Sequence, residues 1–366
     1  MANTQNGGEV LVLVTSPFQY LCALELIQQR YQGASVTVID GSERCANSAN
    51  QLQSLYAQYP PERIVPVNIL KKGDLAQRIA SYSWLAVKEE NKHYTAILIG
   101  DLRHQWMQDL ACSIKSNNIY LVDDGAVTVL LYNFVLKPAD FTIPISMTVS
   151  SPERQEMARQ LKLSLGMEVK NKKIEVFSIY PLGGDKVLTN TLSVLRNAFP
   201  PNVRMNKEWH FIGAPVSEKG LLSEQRYFDL LADAMANYKG YGRAVYFSHR
   251  AEDISGKQGM LAELGFSVEV NNAPYELILT QQGRRPKAVV GMHSTSLTNV
   301  KILFQGKVPV TCYRIPEADL EALKSQNVMT NLYSLYDALM CFYSKLPELG
   351  INSKVLADQD CPQLAQ

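Results

Sequence analysis

Several short strings in this chain carry side chains able to move a proton or hold an anion, and each follows an apolar run. Asp123-Asp124-Gly125 follows Ile119–Val122. Adjacent carboxylates at the end of a buried strand are costly unless solvated, paired or hydrogen-bonded, and Gly125 permits a sharp turn there. Asp124, or Asp123 as the second candidate, could then take a proton from a hydroxyl; a plain D-G turn on the surface accounts for the string equally well. Ser248-His249-Arg250-Ala251-Glu252 follows Val245–Phe247. A histidine between a hydroxyl and a guanidinium suits phosphate: His249 could protonate a departing oxygen, and Arg250 could bind charge or point away. Taken alone, a single histidine is more often structural.

Met292-His293-Ser294-Thr295-Ser296 follows Val289–Gly291 and leads into a helix. Hydroxyls and free N–H groups at a helix start form an anion site, though Ser294 or Ser296 could simply cap the helix. Thr15-Ser16-Pro17 after Val10–Val14 carries the same two readings, ligand contact or N-cap. Gly213-Ala214-Pro215 after Trp209–Ile212 would let a flat ligand approach the backbone, or make a tight turn. Glu276, in the helix start after Asn272-Ala273-Pro274, could clamp ribose hydroxyls or merely complement the helix dipole. No G-x-G-x-x-G or Walker glycine pattern occurs, which disfavours a dinucleotide or P-loop nucleotide site.

The elements that must position these residues alternate. Val10–Val14 is apolar throughout, as a strand buried on both faces requires. The pattern then predicts helix Phe18–Gln29, strand Ser35–Ile39, helix Asn47–Tyr59, strand Ile64–Leu70, helix Gly73–Lys88, strand Tyr94–Ile99, helix Trp106–Lys115 and strand Asn118–Val122. From Pro138 to Pro181 the rhythm breaks, as for a linker or an antiparallel excursion, and Leu188–Arg196 reads as helix. A second alternation starts at Glu208–Ile212. It continues through helix Ser223–Tyr238, strand Ala244–Phe247, helix Gly259–Leu264, strand Ser267–Val270, helix Tyr275–Gln281, strand Ala288–Gly291, helix Ser296–Leu303, strand Pro309–Tyr313 and helix Leu332–Leu346. The expected architecture is α/β, with two Rossmann-like domains facing across a cleft: residues 1–190 on the acceptor side, 205–345 binding the nucleotide sugar, and a tail at 346–366. Ligands of such sheets sit beyond the carboxyl ends of the strands, where every string above is found.

Composition narrows the function classes. Lys+Arg 36 against Asp+Glu 35 leaves a net charge of +1, which argues against a general nucleic-acid binder. No apolar run approaches the ~20 residues of a membrane span. Residues 1–9 lack the basic region of a secretory signal, and six dispersed cysteines without a C-x-x-C pair read as reduced thiols, so the expectation is a cytoplasmic protein. Five dispersed histidines argue against structural zinc. The clusters Lys170–Lys173 and Arg284-Arg285-Pro286-Lys287 could touch anionic headgroups at the cytoplasmic face of the inner membrane, or be solvated loop charges. Oligomeric state is not legible.

In motif order, over most of its length, the chain resembles the bacterial sialyltransferases and polysialyltransferases of the GT-B type. They carry a D/E-D/E-G motif in the first lobe, an H-P motif in the second and a downstream Ser-Ser/Thr motif; the corresponding strings are Asp123-Asp124-Gly125, His249-Arg250 and Ser294-Thr295-Ser296, and Val14-Thr15-Ser16-Pro17-Phe18-Gln19 is similar to their first strand and turn. The resemblance implies an inverting, metal-independent transfer from CMP-sialic acid to a glycan hydroxyl, with no cofactor. It implies Asp124 as base and His249 as the group that binds or protonates the CMP phosphate. Ser294, Thr295 and Ser296 would hold that phosphate, Gly213 would approach cytosine and Glu276 would bind ribose. Arg250 departs from the motif's proline, whose ring would rigidify the turn behind the histidine. The rival readings are a CMP-Kdo or UDP-sugar transferase, a decayed transferase that only binds nucleotide or glycan, and, last, a hydrolase using Ser248, for which no G-x-S-x-G elbow is present.

Overall fold

The computed structural model describes residues 7–43, 46–70, 72–147, 151–201, 203, 205–249, 251–270, 273–323 and 333–355. The chain divides into two compact units that part between Val194 and Leu195; Tyr333 groups with the first unit and residues 334–355 with the second. Among the described residues, no helix is long and apolar enough to cross a membrane.

The first unit runs β1 (Glu9–Val14), α1 (Pro17–Arg30), β2 (Ser35–Asp40), α2 (Ala46–Gln58), β3 (Arg63–Pro66), α3 (Leu75–Lys88), β4 (His93–Ile99), α4 (Gln105–Ser113), β5 (Lys115–Val122) and α5 (Val127–Leu131), then a π-helical turn Tyr132–Leu136. It continues with β6 (Thr142–Ile143), α6 (Pro152–Ser164), β7 (Lys172–Lys173), β8 (Glu175–Ser178) and β9 (Val187–Thr189), and α7 (Ser193–Asn197) spans the boundary to the second unit. Its parallel sheet has the order β3-β2-β1-β4-β5-β8-β9. Val10 to Val14 are fully buried, as expected of a central strand covered on both faces. Ser16 caps α1 and Pro17 opens it, the two residue types suited to those positions.

The second unit runs β10 (Glu208–Ile212), α8 (Glu224–Tyr238), β11 (Arg243–Phe247), α9 (Ile254–Glu263), β12 (Ser267–Glu269), α10 (Tyr275–Gln281), β13 (Val289–Gly291), α11 (Thr295–Leu303), β14 (Val310–Arg314), α12 (Glu317–Leu323), α13 (Leu335–Lys345) and β15 (Asn352–Val355). Its sheet, also parallel, is ordered β12-β11-β10-β13-β14-β15, the doubly wound order that reverses direction at its first strand. Trp209 and Phe211 anchor the core: Phe211 stacks on Tyr246 of the neighbouring strand at 5.7 Å, and Phe266 packs edge-on against both Trp209 and Tyr246.

Three expectations need correction. Leu188–Arg196, read as a helix, begins instead within strand Val187–Thr189, which pairs with β8, and only Ser193–Asn197 is helical. The Pro138–Pro181 segment does hold an antiparallel pair, Thr142–Ile143 with Lys172–Lys173. It also holds the 13-residue helix α6, none of whose side chains is buried. Residues 352–355, placed in a tail, pair with β14 as the sheet's sixth strand.

Candidate functional site

In each sheet the strand order turns back beside the first strand, opening a crevice at the carboxyl ends of β1 and β4 in one unit and of β10 and β13 in the other. Such switch points are where doubly wound sheets bind ligands. In the first unit, the crevice edge holds a polar cluster around Asp124. Gln19, one turn into α1, accepts from the Thr15 backbone N–H (2.7 Å) and hydroxyl (3.3 Å) through its amide oxygen. That bond aims the amide nitrogen at Asp124 Oδ1, 2.9 Å away. Gly100, at the end of β4, leaves room for this: a Cβ there would collide with the Gln19 amide. Arg103 grips the other oxygen of Asp124 at 2.6 Å and is itself held by the buried Asp101 at 2.7 Å. Asp124 keeps 18% of its side chain exposed, so solvent reaches it.

Asp123 has the opposite setting. It is 0% exposed and ties β5 to the end of β8, accepting from Ser178 Oγ (2.7 Å) and the Ile179 N–H (2.6 Å). Burial pushes its carboxyl up to about 7, against the pull of those donors. Both oxygens are engaged inside the protein, which makes Asp123 a structural tie and leaves Asp124 as the reachable acid.

In the second unit, Gly213 follows β10. A Cβ at this position would collide with Glu252 and lie 2.6 Å from the Tyr246 hydroxyl, so internal packing alone requires the glycine. Glu252 is the hub of this edge. It accepts from Tyr246 Oη (2.6 Å) and from the His249 N–H (2.7 Å), with Lys257 at 3.3 Å. Burial raises its carboxyl above the ordinary range while these donors pull it down. The His249 ring accepts at Nδ1 from the Ala251 N–H at 3.1 Å, so a neutral ring carries its proton on Nε2. Arg250 lies outside the described residues.

At the other side of this crevice, Ser294 caps α11, its hydroxyl accepting from the Ser296 N–H at 3.3 Å. Ser294, Thr295 and Ser296 are half-buried at that helix start. His293, just before them, has a buried Nδ1 with no hydrogen-bond partner. Burial first, and then the charges of Lys219 and His249, push it down to about 4. The charges of Lys219 and His249 thus act on a histidine beside a helix N-terminus, a setting that favours an anion. Glu276 is 3% exposed and accepts from Asn299 Nδ2 at 2.8 Å, so in this arrangement it links α10 to α11.

In the two basic clusters, Lys172 and Arg284 are engaged inside the protein, while Lys170 and Lys173 form exposed ion pairs. Lys170 pairs with Glu168, Lys173 with Asp140, and Lys172 donates to the carbonyls of Ala111 and Ile114. Arg284 is buried between Glu208 (3.0 Å) and Glu269 (2.8 Å). Among the described residues, no group of three or more His, Cys, Asp or Glu side chains is placed to hold a metal ion. Sequence reasoning assigned no role to Gln19, Arg103, Glu252 or His293. The spacing His249-x-x-Glu252, which mimics a helix capping box, was the available signal for one of them.

No protein-family model matches the sequence, and no curated protein does. Among solved structures, the chain is similar to a protein of Listeria monocytogenes assigned as a UDP-N-acetylglucosamine 2-epimerase, with 13% identity over 93% of this chain and 87% of that one and a TM-score of 0.50. Weaker likenesses include MurG of Acinetobacter baumannii (10% identity, 95% and 85% covered, TM-score 0.44) and a sialyltransferase of Photobacterium damsela (13%, 95% and 81%, TM-score 0.46). At such identities the likeness concerns the fold: α/β, with two Rossmann-like parallel sheets, as in GT-B proteins.

Proposed function

We propose that this chain is an inverting glycosyltransferase that moves sialic acid from CMP-sialic acid to a glycan hydroxyl. The observation that carries the reading is Asp124: a reachable carboxylate at the end of β5, with its two oxygens oriented by Gln19 and Arg103. In this reaction Asp124 takes the proton of the acceptor hydroxyl as its oxygen bonds to the anomeric carbon, and the bond from that carbon to the phosphate oxygen breaks. The anomeric carbon of sialic acid bears a carboxylate and no neighbouring hydroxyl, so its transition state is oxocarbenium-like. CMP leaves as a phosphate monoester. His249 Nε2–H donates to that phosphate, and the start of α11, with Ser294, Thr295 and Ser296, neutralises its charge. A leaving group of this charge needs proton donation and fixed dipoles rather than a metal ion. The Asp124 lobe receives the acceptor and the other lobe the donor.

A nucleotide-diphosphate sugar is the second reading. Arg250 favours it, being an additional cation next to His249 in sequence that would suit a second phosphate. The test is release of free nucleotide from a panel of CMP-sialic acid, CMP-Kdo, UDP-sugars and GDP-sugars, with sialylated acceptors scored by mass. Turnover of CMP-sialic acid that Asp124→Asn and His249→Ala each cut at least a hundredfold supports the first reading. Preference for a UDP-sugar replaces the donor, and nucleotide binding without turnover of any donor points to a binding protein.

A further inference from the structure

The turn that carries His249 is closed on itself. The His249 N–H donates to Glu252 Oε2 at 2.7 Å, the Glu252 N–H donates back to the His249 carbonyl at 2.9 Å, and the Ala251 N–H donates to His249 Nδ1 at 3.1 Å. Position 250 is arginine, so no proline ring restrains this turn. The Glu252 side chain is fully buried, and its remaining contacts reach three other elements. Tyr246 of β11 donates to Oε1, Lys257 of α9 lies 3.3 Å from the same oxygen, and the Gly213 backbone after β10 packs so closely on Oε2 that no side chain fits there. Tyr246 is in turn fixed by its stack on Phe211 and by the Tyr227 hydroxyl at 2.7 Å.

We propose that Glu252 is a positioning residue for His249: by anchoring the His249–Glu252 turn to β10, β11 and α9, it holds the imidazole with Nδ1 turned to the backbone and the proton on Nε2, the form that can donate to the leaving group. The role in transfer rests on the proposed function, whereas the ring geometry does not. Glu252 touches no reacting atom; it acts through the histidine it fixes. Gln at 252 can still accept from the His249 N–H, whereas Met fills the same space and cannot.

The test is nitrogen-15 NMR of histidine-labelled full-length protein without substrate, at a pH where His249 is neutral, with His249 assigned by loss of its signals in His249→Gln. The wild type and Glu252→Gln should show the Nε2–H tautomer, and Glu252→Met a mixture of tautomers. With donor and acceptor, Glu252→Met should lose roughly 10- to 100-fold in kcat with KM for the donor within about threefold, and Glu252→Gln should stay near wild type. An Nδ1–H tautomer in the wild type overturns the proposal, and this result stands even if Glu252→Met fails to fold. So does a folded Glu252→Met with wild-type tautomer and kcat. A tautomer that shifts in Glu252→Met, in a protein that turns over no donor, upholds the positioning role and removes the transferase reading instead.

Discussion

Gln19 and Asp124 stand 105 residues apart in the chain and 2.9 Å apart in the fold, amide nitrogen to carboxylate oxygen. With Arg103 on the opposite oxygen at 2.6 Å, they make Asp124 an acid of fixed orientation rather than one of two interchangeable turn residues. If Asp124 is the base, Asp124→Asn should lower kcat by about 10²- to 10⁴-fold. Gln19→Leu, which removes the donor on one Asp124 oxygen together with the acceptor of the Thr15 N–H and leaves Arg103 on the other oxygen, should cost roughly 10- to 100-fold. Adding Gln19→Leu to Asp124→Asn should cost nothing more, because residues serving one group are not additive. Steady-state kinetics on the three variants checks this; full additivity would separate Gln19 from the base.

Asp123 should show itself in stability rather than in turnover. Its folded-state carboxyl stands at about 7, raised by burial above an unfolded value of 3.8. A raised acid contributes stability that is complete below pH 3.8 and is lost as the pH climbs through 7. Wild type minus Asp123→Asn, followed by urea unfolding, should therefore decline between about pH 4 and pH 7. The decline should reach at most about 4 kcal/mol, each tenfold in proton affinity being worth about 1.4 kcal/mol.

His293 has the opposite sign over an overlapping range. Its ring is pushed from 6.5 down to about 4, chiefly by burial, so the stability it contributes is present above pH 6.5 and is lost as the pH falls through 4. His293→Gln should lack that acid loss, of order 3 kcal/mol. Because the two effects oppose each other in the wild type, only the single variants separate them. Urea midpoints of both variants at pH 4, 5.5 and 7 provide the check.

Arg284 tests the fate of the second basic cluster. It is enclosed by Glu208 and Glu269, and removing one partner of a buried pair strands the others. Arg284→Ala should cost roughly 3–5 kcal/mol in urea unfolding. Retention of the protein on anionic vesicles should not change, as a buried guanidinium cannot meet headgroups.

What was legible in the sequence follows from how far each signal reaches along the chain. Val10–Val14 reads as a doubly covered strand because five consecutive apolar residues leave no polar face to solvent, and Tyr275–Gln281 was placed to the residue. The strand ends, and hence Asp124, His249 and Ser294–Ser296, follow from that alternation. Helix α6 was missed because none of its side chains is buried, Met157 and Leu163 being exposed, and strand 187–189 because two half-buried residues and an exposed one next to a helix carry no period of their own. The partners that define the site were less visible still. Arg103 meets Asp124 from 21 positions away and Gln19 from 105, and the crowding that demands Gly213 comes from Glu252 and Tyr246 on other elements. Distant pairs of this kind leave no local pattern in a single sequence.

Transfer from CMP-sialic acid requires His249 and the start of α11 to hold the phosphate of a cytidine nucleotide. Calorimetric titration of the full chain with CMP, UDP and GDP tests it most directly. Tighter binding of CMP than of UDP or GDP, weakened at least tenfold (about 1.4 kcal/mol) by His249→Ala, is the predicted result; CMP affinity untouched by that change, or tighter binding of UDP, contradicts it.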